Sequence, residues 1–189
     1  RMGEVFRIGD RVSIRISDVA FGGDGVGRVS DQVLFVPFTV DGDEVEAEIT
    51  EVRKRYARGR LVRVLSPSSG RVDPACPYHR RCGGCRMLHI AYGRQLEIKG
   101  RQVAEIFRRI AGVTELPEIP PIPSPLPFGW RGKAEFHLAA GRGGRARIGL
   151  MAPASHELVE VERCAIVAES INEKYRDLRR GLPSGRVRA

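Results

Sequence analysis

The sequence lacks several features that would assign it to a class at once. It contains no run of about 18 apolar residues, which excludes a membrane-spanning helix from these 189 residues. Its first ten residues, RMGEVFRIGD, lack the apolar segment of a secretory signal peptide. Only four cysteines are present, and nothing points to secretion. We therefore expect a cytoplasmic protein without membrane contact, in which disulfide bonds are disfavoured.

A nucleotide-binding glycine loop is also missing. The stretch GGDGVG at 22–27 leads into residues with strand character rather than into a helix, so it does not fit the dinucleotide motif. We expect these glycines to form a turn, because glycine alone adopts positive φ without steric cost.

Positive charge is present in excess and is unevenly distributed. The formal net charge is +9, and 28 of the 32 basic residues are arginine. Residues 1–70 are net neutral, whereas residues 71–150 contain 14 basic and 6 acidic residues. A basic field of this kind favours a polyanionic partner such as nucleic acid. A surface whose charge serves only solubility would have the same composition.

Residues 1–66 have the pattern of a small β-barrel. Residues 10–17 alternate between apolar and polar side chains, as in a half-buried strand. The strand-like segments QVLFVPF, DGDEVEAEIT and YARGRLVRVLS follow, with turn residues between them. The pattern predicts five short strands in an OB-like barrel. Phe21, Phe35 and Phe38 are candidates for stacking on bases, although the barrel core is the expected place for Phe35.

Opposite charges follow one another in this barrel. An acidic run at 43–51 precedes a basic run at 53–63, which predicts ion pairs between neighbouring strands. The same basic run is a candidate strand for RNA binding, and the two interpretations are compatible. Its candidate contact residues are Arg53, Lys54, Arg55 and Arg58.

Residues 67–189 predict a small α+β domain, so that the whole chain is α+β and mostly β. A helix is indicated from Tyr92 to Ile110, with an apolar face that includes Val103, Ile106 and Phe107, arginines on or beside the polar face, and Gly112 as its C-cap. The six prolines of 116–130 predict an extended connector. A hairpin with a glycine-rich turn at 141–145, a strand that ends near Cys164 and a short helix at 168–180 follow.

The cysteines form the most specific pattern. Three lie in CPYHRRCGGC with the spacing C-x5-C-x2-C, and the fourth lies 79 positions further on. Three thiolates from one loop and one remote thiolate are typical of an iron–sulfur cluster. A zinc site formed by four cysteines, or by three cysteines and His79, is an open alternative. Such sites usually contain two C-x2-C pairs, and only one is present here. Disulfides stay open too, and a redox C-x-x-C lacks its βαβ context. The cysteines are Cys76, Cys82, Cys85 and Cys164.

The barrel, DPACPYHRRCGGCRMLHIAY, the following helix and GLMAPASHELVEVERCAI together resemble the N-terminal half of bacterial RNA 5-methyluridine methyltransferases, over roughly residues 8–180. The resemblance implies an RNA-binding TRAM barrel and a central domain in which the four cysteines ligate a 4Fe-4S cluster. WRGKA at 130–134 matches the family's YRNKA strand, which implies that Arg131 and Lys133 contact RNA. Gly132 replaces the family's asparagine, so contacts of that side chain would be lost.

The resemblance also implies S-adenosylmethionine-dependent methylation of uracil C5, by a monomer that acts on ribosomal RNA in preference to transfer RNA. That reaction needs a cysteine thiolate that adds to C6 and a carboxylate that removes the C5 proton. All four cysteines are already assigned, and no Rossmann-like βαβ segment is present. We therefore expect no catalytic residue in this chain, a catalytic domain outside it, and an inactive fragment. The alternative is a non-catalytic RNA-binding protein with a TRAM barrel and either zinc or an iron–sulfur cluster.

Overall fold

The computed structural model describes residues 6–117, 120–141 and 145–182. The chain divides into two compact units. The first, the barrel unit, comprises Arg1–Pro74 and Arg86–Pro123. The second, the cysteine unit, comprises Ala75–Cys85 and Ser124–Ala189. No helix within the described ranges is long and apolar enough to cross a bilayer.

The barrel unit is built on a closed barrel of five strands, as the sequence predicts. The strands are β1 (Arg11–Val19), β2 (Asp24–Val29), β3 (Gln32–Pro37), β4 (Glu44–Val52) and β5 (Tyr56–Ser66). They pair in the order β1-β2-β3-β5-β4, and β4 pairs back with β1. All pairs are antiparallel except that of β3 with β5.

Alternate side chains of the strands fill the interior of the barrel. Along each strand every second residue points inward, so that the apolar residues of five strands meet in one core. That core includes Ile14, Ile16, Leu34, Val36, Val45, Ala47, Ile49, Ala57 and Leu61. The expectation that Phe35 belongs to it is wrong, because Phe35 lies between the fully buried Leu34 and Val36 and so faces outward.

The prediction that the glycines of residues 22–27 form a turn is wrong for residues 24–27, which belong to strand β2. Of the four glycines in residues 22–27, Gly22 and Gly23 have positive φ, whereas Gly25 and Gly27 lie within the strand. These two glycines face the interior, where a Cβ on Gly25 would lie 1.9 Å from Thr39 Oγ1. They are needed because neighbouring side chains occupy the space, not because the chain turns there.

The predicted helix forms as α1 (Tyr92–Ala111) and ends at Gly112, whose φ of 67° is the left-handed C-cap conformation. Its packing face differs from the prediction. Ile98 is buried beside Val19, and Gln102 donates to the Val19 carbonyl at 2.9 Å. The predicted apolar stripe of the second half of the helix is exposed instead; its members are Val103, Ile106, Phe107 and Ile110.

The cysteine unit contains a three-stranded sheet and one helix. The sheet has the order β6 (His137–Ala140), β7 (Ala146–Met151), β8 (Leu158–Val159), and α2 (Glu169–Gly181) follows. The β6–β7 hairpin and α2 confirm the predictions, although turn residues 142–144 lie outside the described ranges. Tyr175 of α2 is buried, and its ring stacks on Phe136 with centroids 4.1 Å apart. The described part of the proline-rich segment contains neither helix nor strand.

Candidate functional site

The loop at 76–85 is held by its own backbone and by the end of β7. The Cys82 N–H donates to the Tyr78 carbonyl at 2.8 Å, which closes a turn between the first two cysteines. The Gly83 N–H donates to the Met151 carbonyl at 2.9 Å. A Cβ on Gly83 would lie 3.2 Å from that carbonyl oxygen, so this close approach favours glycine. The Gly84 N–H lies 3.4 Å from Cys82 Sγ and can donate to it.

Cys164 is held by a side chain that sequence reasoning missed. The amide of the buried Asn172 on α2 accepts from the Cys164 N–H at 2.9 Å and donates to its carbonyl at 3.1 Å. The Tyr78 hydroxyl accepts from the N–H of Glu162 at 3.0 Å, which joins the cysteine loop to the segment before Cys164. The available signal was an asparagine three positions before Tyr175, on the same face of an amphipathic helix. The prediction of a strand ending at Cys164 is wrong, because β8 ends at Val159.

The four thiols share one region of the cysteine unit. The pKa of Cys85 is raised from 9.0 to about 11, first by burial and then by the neighbouring thiols of Cys164, Cys82 and Cys76, while Arg131 lowers it. Burial likewise raises the pKa of Cys82, and Cys164 and Cys76 add to the effect. Because charge interactions fall with distance, these effects place all four thiols within electrostatic reach of one another.

The thiols are neighbours but do not form a ready coordination site. All four are free and partly buried. Within the described ranges, no three Cys, His, Asp or Glu side chains lie together closely enough to hold a metal ion as they stand. The donor chemistry nevertheless fits a soft centre, because four cysteine sulfurs are a ligand set of iron–sulfur clusters and of structural zinc. The Gly84 N–H can donate to one of these sulfurs. The 4Fe-4S assignment therefore stays a prediction.

The predicted charge pairing between β4 and β5 is confirmed. Arg63 pairs with Glu46 at 3.0 Å and Arg60 with Glu48 at 2.8 Å, while Arg58 lies 3.9 Å from Glu51. The barrel unit contains four candidate RNA-binding residues. Three of them lie in the exposed β4–β5 loop, and the fourth lies on β5. They are Arg53, Lys54, Arg55 and Arg58. Their role in RNA binding stays a prediction.

The other two RNA candidates lie in the cysteine unit. The Arg131 backbone donates to the Ile166 carbonyl at 2.8 Å and accepts from the Ala168 N–H at 3.0 Å. This bridge holds Arg131 beside the segment that follows Cys164, with an exposed guanidinium. Lys133, two residues further on, is also exposed. The structure thus places Arg131 and Lys133 in the same unit as the thiols.

Comparisons with known proteins find similarity to the barrel and to most of the chain. Residues 5–62 match the TRAM domain family. The chain is 35% identical over 164 residues to an uncharacterized RNA methyltransferase of Synechocystis sp., which is 87% of this chain and 35% of that protein. It is 34% identical over 163 residues to an uncharacterized RNA methyltransferase of Clostridium acetobutylicum, which is 85% of this chain and 35% of that protein.

A solved structure is similar over most of the chain. The tRNA (uracil-54, C5)-methyltransferase of Pyrococcus abyssi, in complex with S-adenosyl-L-homocysteine, aligns with 89% of this chain and 36% of its own length, at a TM-score of 0.57 and 25% identity. The chain thus spans about a third of the length of the relatives it matches (35% in the curated relatives above). The relatives it matches are named RNA methyltransferases, and residues 5–62 match the TRAM domain family.

Proposed function

We propose that this chain, a TRAM-containing homologue of RNA methyltransferases, is the RNA-binding and iron–sulfur portion of an enzyme that methylates uracil C5 in RNA with S-adenosylmethionine. The observation that carries the proposal is the alignment of 89% of the chain with an enzyme named for uracil C5 methylation. Ribosomal RNA is the proposed target in preference to transfer RNA, on the family resemblance of the cysteine and WRGKA motifs.

The four thiols are the proposed ligands of a 4Fe-4S cluster. Burial and the neighbouring thiols raise the pKa of Cys85 from 9.0 to about 11, so ligation by its thiolate requires a positive centre that displaces the proton. When bound, the cluster supplies iron–thiolate bonds that join the 76–85 loop to Cys164. Tyr78 and Asn172 hold the two ends of this connection through the backbone hydrogen bonds described above. Zinc bound by the same four thiols is the second candidate.

RNA binding by the cysteine unit is testable at Arg131 and Lys133. Each side chain is exposed, and each substitution with alanine should weaken binding to a ribosomal RNA fragment. If each contacts one phosphate, the slope of log K against log salt should fall by about one per substitution. The measurement is a binding titration at several salt concentrations, with transfer RNA as the competing ligand.

Arg176 of α2 supplies the matched control for these substitutions. It is an arginine of the same unit that pairs with Glu169 at 3.3 Å, so Arg176→Ala should leave the salt slope unchanged. Equal salt slopes for wild type, Arg131→Ala and Lys133→Ala would remove both residues from the proposed RNA site. Tighter binding to transfer RNA than to the ribosomal fragment would reverse the proposed order of targets.

A second test asks whether methyl transfer requires residues outside this chain. A longer protein that joins this chain to a methyltransferase domain should transfer a tritiated methyl group from S-adenosylmethionine to uracil C5 in RNA. The 189-residue chain by itself should transfer none, because the nucleophile and base of the reaction are proposed to lie outside it. Nuclease digestion and chromatography of the labelled nucleosides identify the product. Label in a nucleoside other than 5-methyluridine would refute the uracil C5 assignment, and transfer by the chain alone would refute its inactivity.

A further inference from the structure

The barrel unit carries a cluster of aromatic and guanidinium groups that the thiol site does not use. The rings of Phe35 and Tyr56 lie edge to face with centroids 5.7 Å apart. The guanidinium carbon of Arg58 lies 5.6 Å from the Phe35 centroid and 6.0 Å from the Tyr56 centroid, within the range of cation–π attraction. These three residues are termed the stacking triad.

The stacking triad lies on the outer surface of the barrel. Phe35 on β3 pairs with Arg58 on β5. Two residues earlier on the same two strands, Val33 pairs with Tyr56. Phe35 and Tyr56 are each partly exposed, and the neighbouring residues on the strands, such as Leu34 and Ala57, are buried in the core. Successive side chains of a strand point to opposite faces, so the triad belongs to the face directed away from the core.

Asp24 holds Arg58 in place without any ligand. The Nη1 of Arg58 lies 3.0 Å from Asp24 Oδ2, whereas its Nε lies 3.9 Å from Glu51, which accepts a hydrogen bond from Arg53. The Asp24 side chain is only 11% exposed, whereas the Arg58 side chain keeps 47% of its surface exposed. The guanidinium is therefore fixed beside the rings before binding, which lowers the entropy lost when a ligand arrives.

The chemistry of this surface suits an unpaired nucleobase. Bases stack on aromatic rings and on arginine planes regardless of their identity, and nearby cations contact the phosphates. The exposed β4–β5 loop supplies three such cations, Arg53, Lys54 and Arg55. Phe21 in the β1–β2 turn is 82% exposed. OB barrels bind oligonucleotides on the face of strands 2 and 3 and through these same two loops.

We propose that the stacking triad binds an unpaired base of single-stranded RNA, while the cations of the β4–β5 loop follow its backbone. The site lies outside the cysteine unit, and it rests on the proposed function only in that RNA is the partner. It gives the barrel a contribution to binding that depends on bases, in addition to the general attraction of positive charge for phosphate.

Two RNA probes separate stacking from phosphate attraction. One is an oligoribonucleotide of about 12 unpaired bases with a central 2-aminopurine, and the other is an abasic strand of equal length. The 189-residue chain should bind the first more tightly than the second by about fivefold or more and should quench the 2-aminopurine fluorescence. Phe35→Leu and Arg58→Lys should lower affinity for the first probe to that for the abasic strand, abolish the quenching and leave abasic binding unchanged.

Matched variants control for folding and charge. Phe107→Leu makes the same change on the exposed face of α1, and Arg60→Lys makes the same change two residues along β5, where Arg60 pairs with Glu48. Both should bind each probe as wild type does. Arg58→Lys keeps the charge, so it also tests the triad if Phe35→Leu proves to fold poorly by circular dichroism.

The outcomes distinguish this site from the proposed function. If RNA binds and responds to Arg131→Ala but not to Phe35→Leu or Arg58→Lys, the stacking triad is refuted and the proposed function stands. Equal losses of affinity for the base-bearing and abasic strands would also refute stacking, since they would show a purely electrostatic role. If the wild-type chain binds neither probe and no ribosomal RNA fragment, both the site and the proposed role in RNA binding are refuted.

Discussion

Replacing Cys85 with serine is expected to abolish cluster binding and to unfold much of the 76–85 loop. In the described structure this loop is held by a few backbone hydrogen bonds and by Tyr78, with little apolar core of its own. Metal–thiolate bonds contribute on the order of 10 kcal/mol to the folding of small metal-dependent domains, so their loss should exceed any other single effect in this unit. Iron, sulfide and zinc assays on anaerobically purified protein, with thermal unfolding, measure the change.

Wild-type protein should contain about four irons and four sulfides per chain and should be brown. Arg81→Ala, an exposed change in the same loop, should retain that content. One zinc per chain without iron would contradict the iron–sulfur proposal and support zinc bound by the same thiols. A metal-free wild type whose melting curve matches that of Cys85→Ser would end the proposal of a metal centre.

Asp43→Ala is expected to destabilise the barrel unit by about 3–5 kcal/mol, because it leaves an uncompensated charge on Arg71, whose side chain is only 17% exposed. The Asp43 side chain has no exposed surface, and its carboxylate lies 2.6 Å from Arg71 Nη2. It also accepts from the N–H groups of Val40 at 2.8 Å and Ser68 at 2.9 Å. Unfolding in urea, followed by circular dichroism, measures the loss.

Glu46→Ala gives the matched control, since Glu46 pairs with Arg63 on the exposed side of the same barrel. Its removal should change the free energy of unfolding by about 1 kcal/mol or less. If Asp43→Ala lowers the free energy of unfolding by no more than Glu46→Ala does, the buried pair does not stabilise the fold.

The same pair predicts sensitivity to acid. Burial alone would raise the pKa of Asp43, but Arg71 and the N–H groups of Ser68 and Val40 outweigh it and hold the pKa below 3.8. A carboxylate with a lowered folded pKa stabilises the protein above its unfolded pKa and loses that contribution as the pH falls through its folded pKa. Wild type should therefore lose more stability than Asp43→Asn as the pH falls below about 3.8. Parallel losses would contradict this role.

The sequence indicated the four cysteines as candidate ligands, because three of them lie in one short loop, and their ligation of a cluster stays a prediction. The contacts that hold these cysteines in the fold could not be predicted. Asn172 and Tyr78, which hold the two ends of the site, gave no comparable signal. Their functions depend on backbone groups that are distant in sequence, and only the folded chain brings those groups into hydrogen-bonding range.

Several local elements follow from sequence patterns alone: β1 from its alternation, α1 from its periodicity, and the end of α1 from Gly112. Which faces of these elements are covered depends on the packing of the folded chain. Helix α1 packs through Ile98 and Gln102, and Arg101 pairs with Asp18 at 3.0 Å, whereas the more apolar stripe is exposed. Phe35 likewise faces outward because β3 pairs with β2 and β5 in a register that its continuous apolar run leaves undetermined. Periodicity fixes the conformation of a segment, but burial is a property of two surfaces, and the second surface is supplied only by the folded chain.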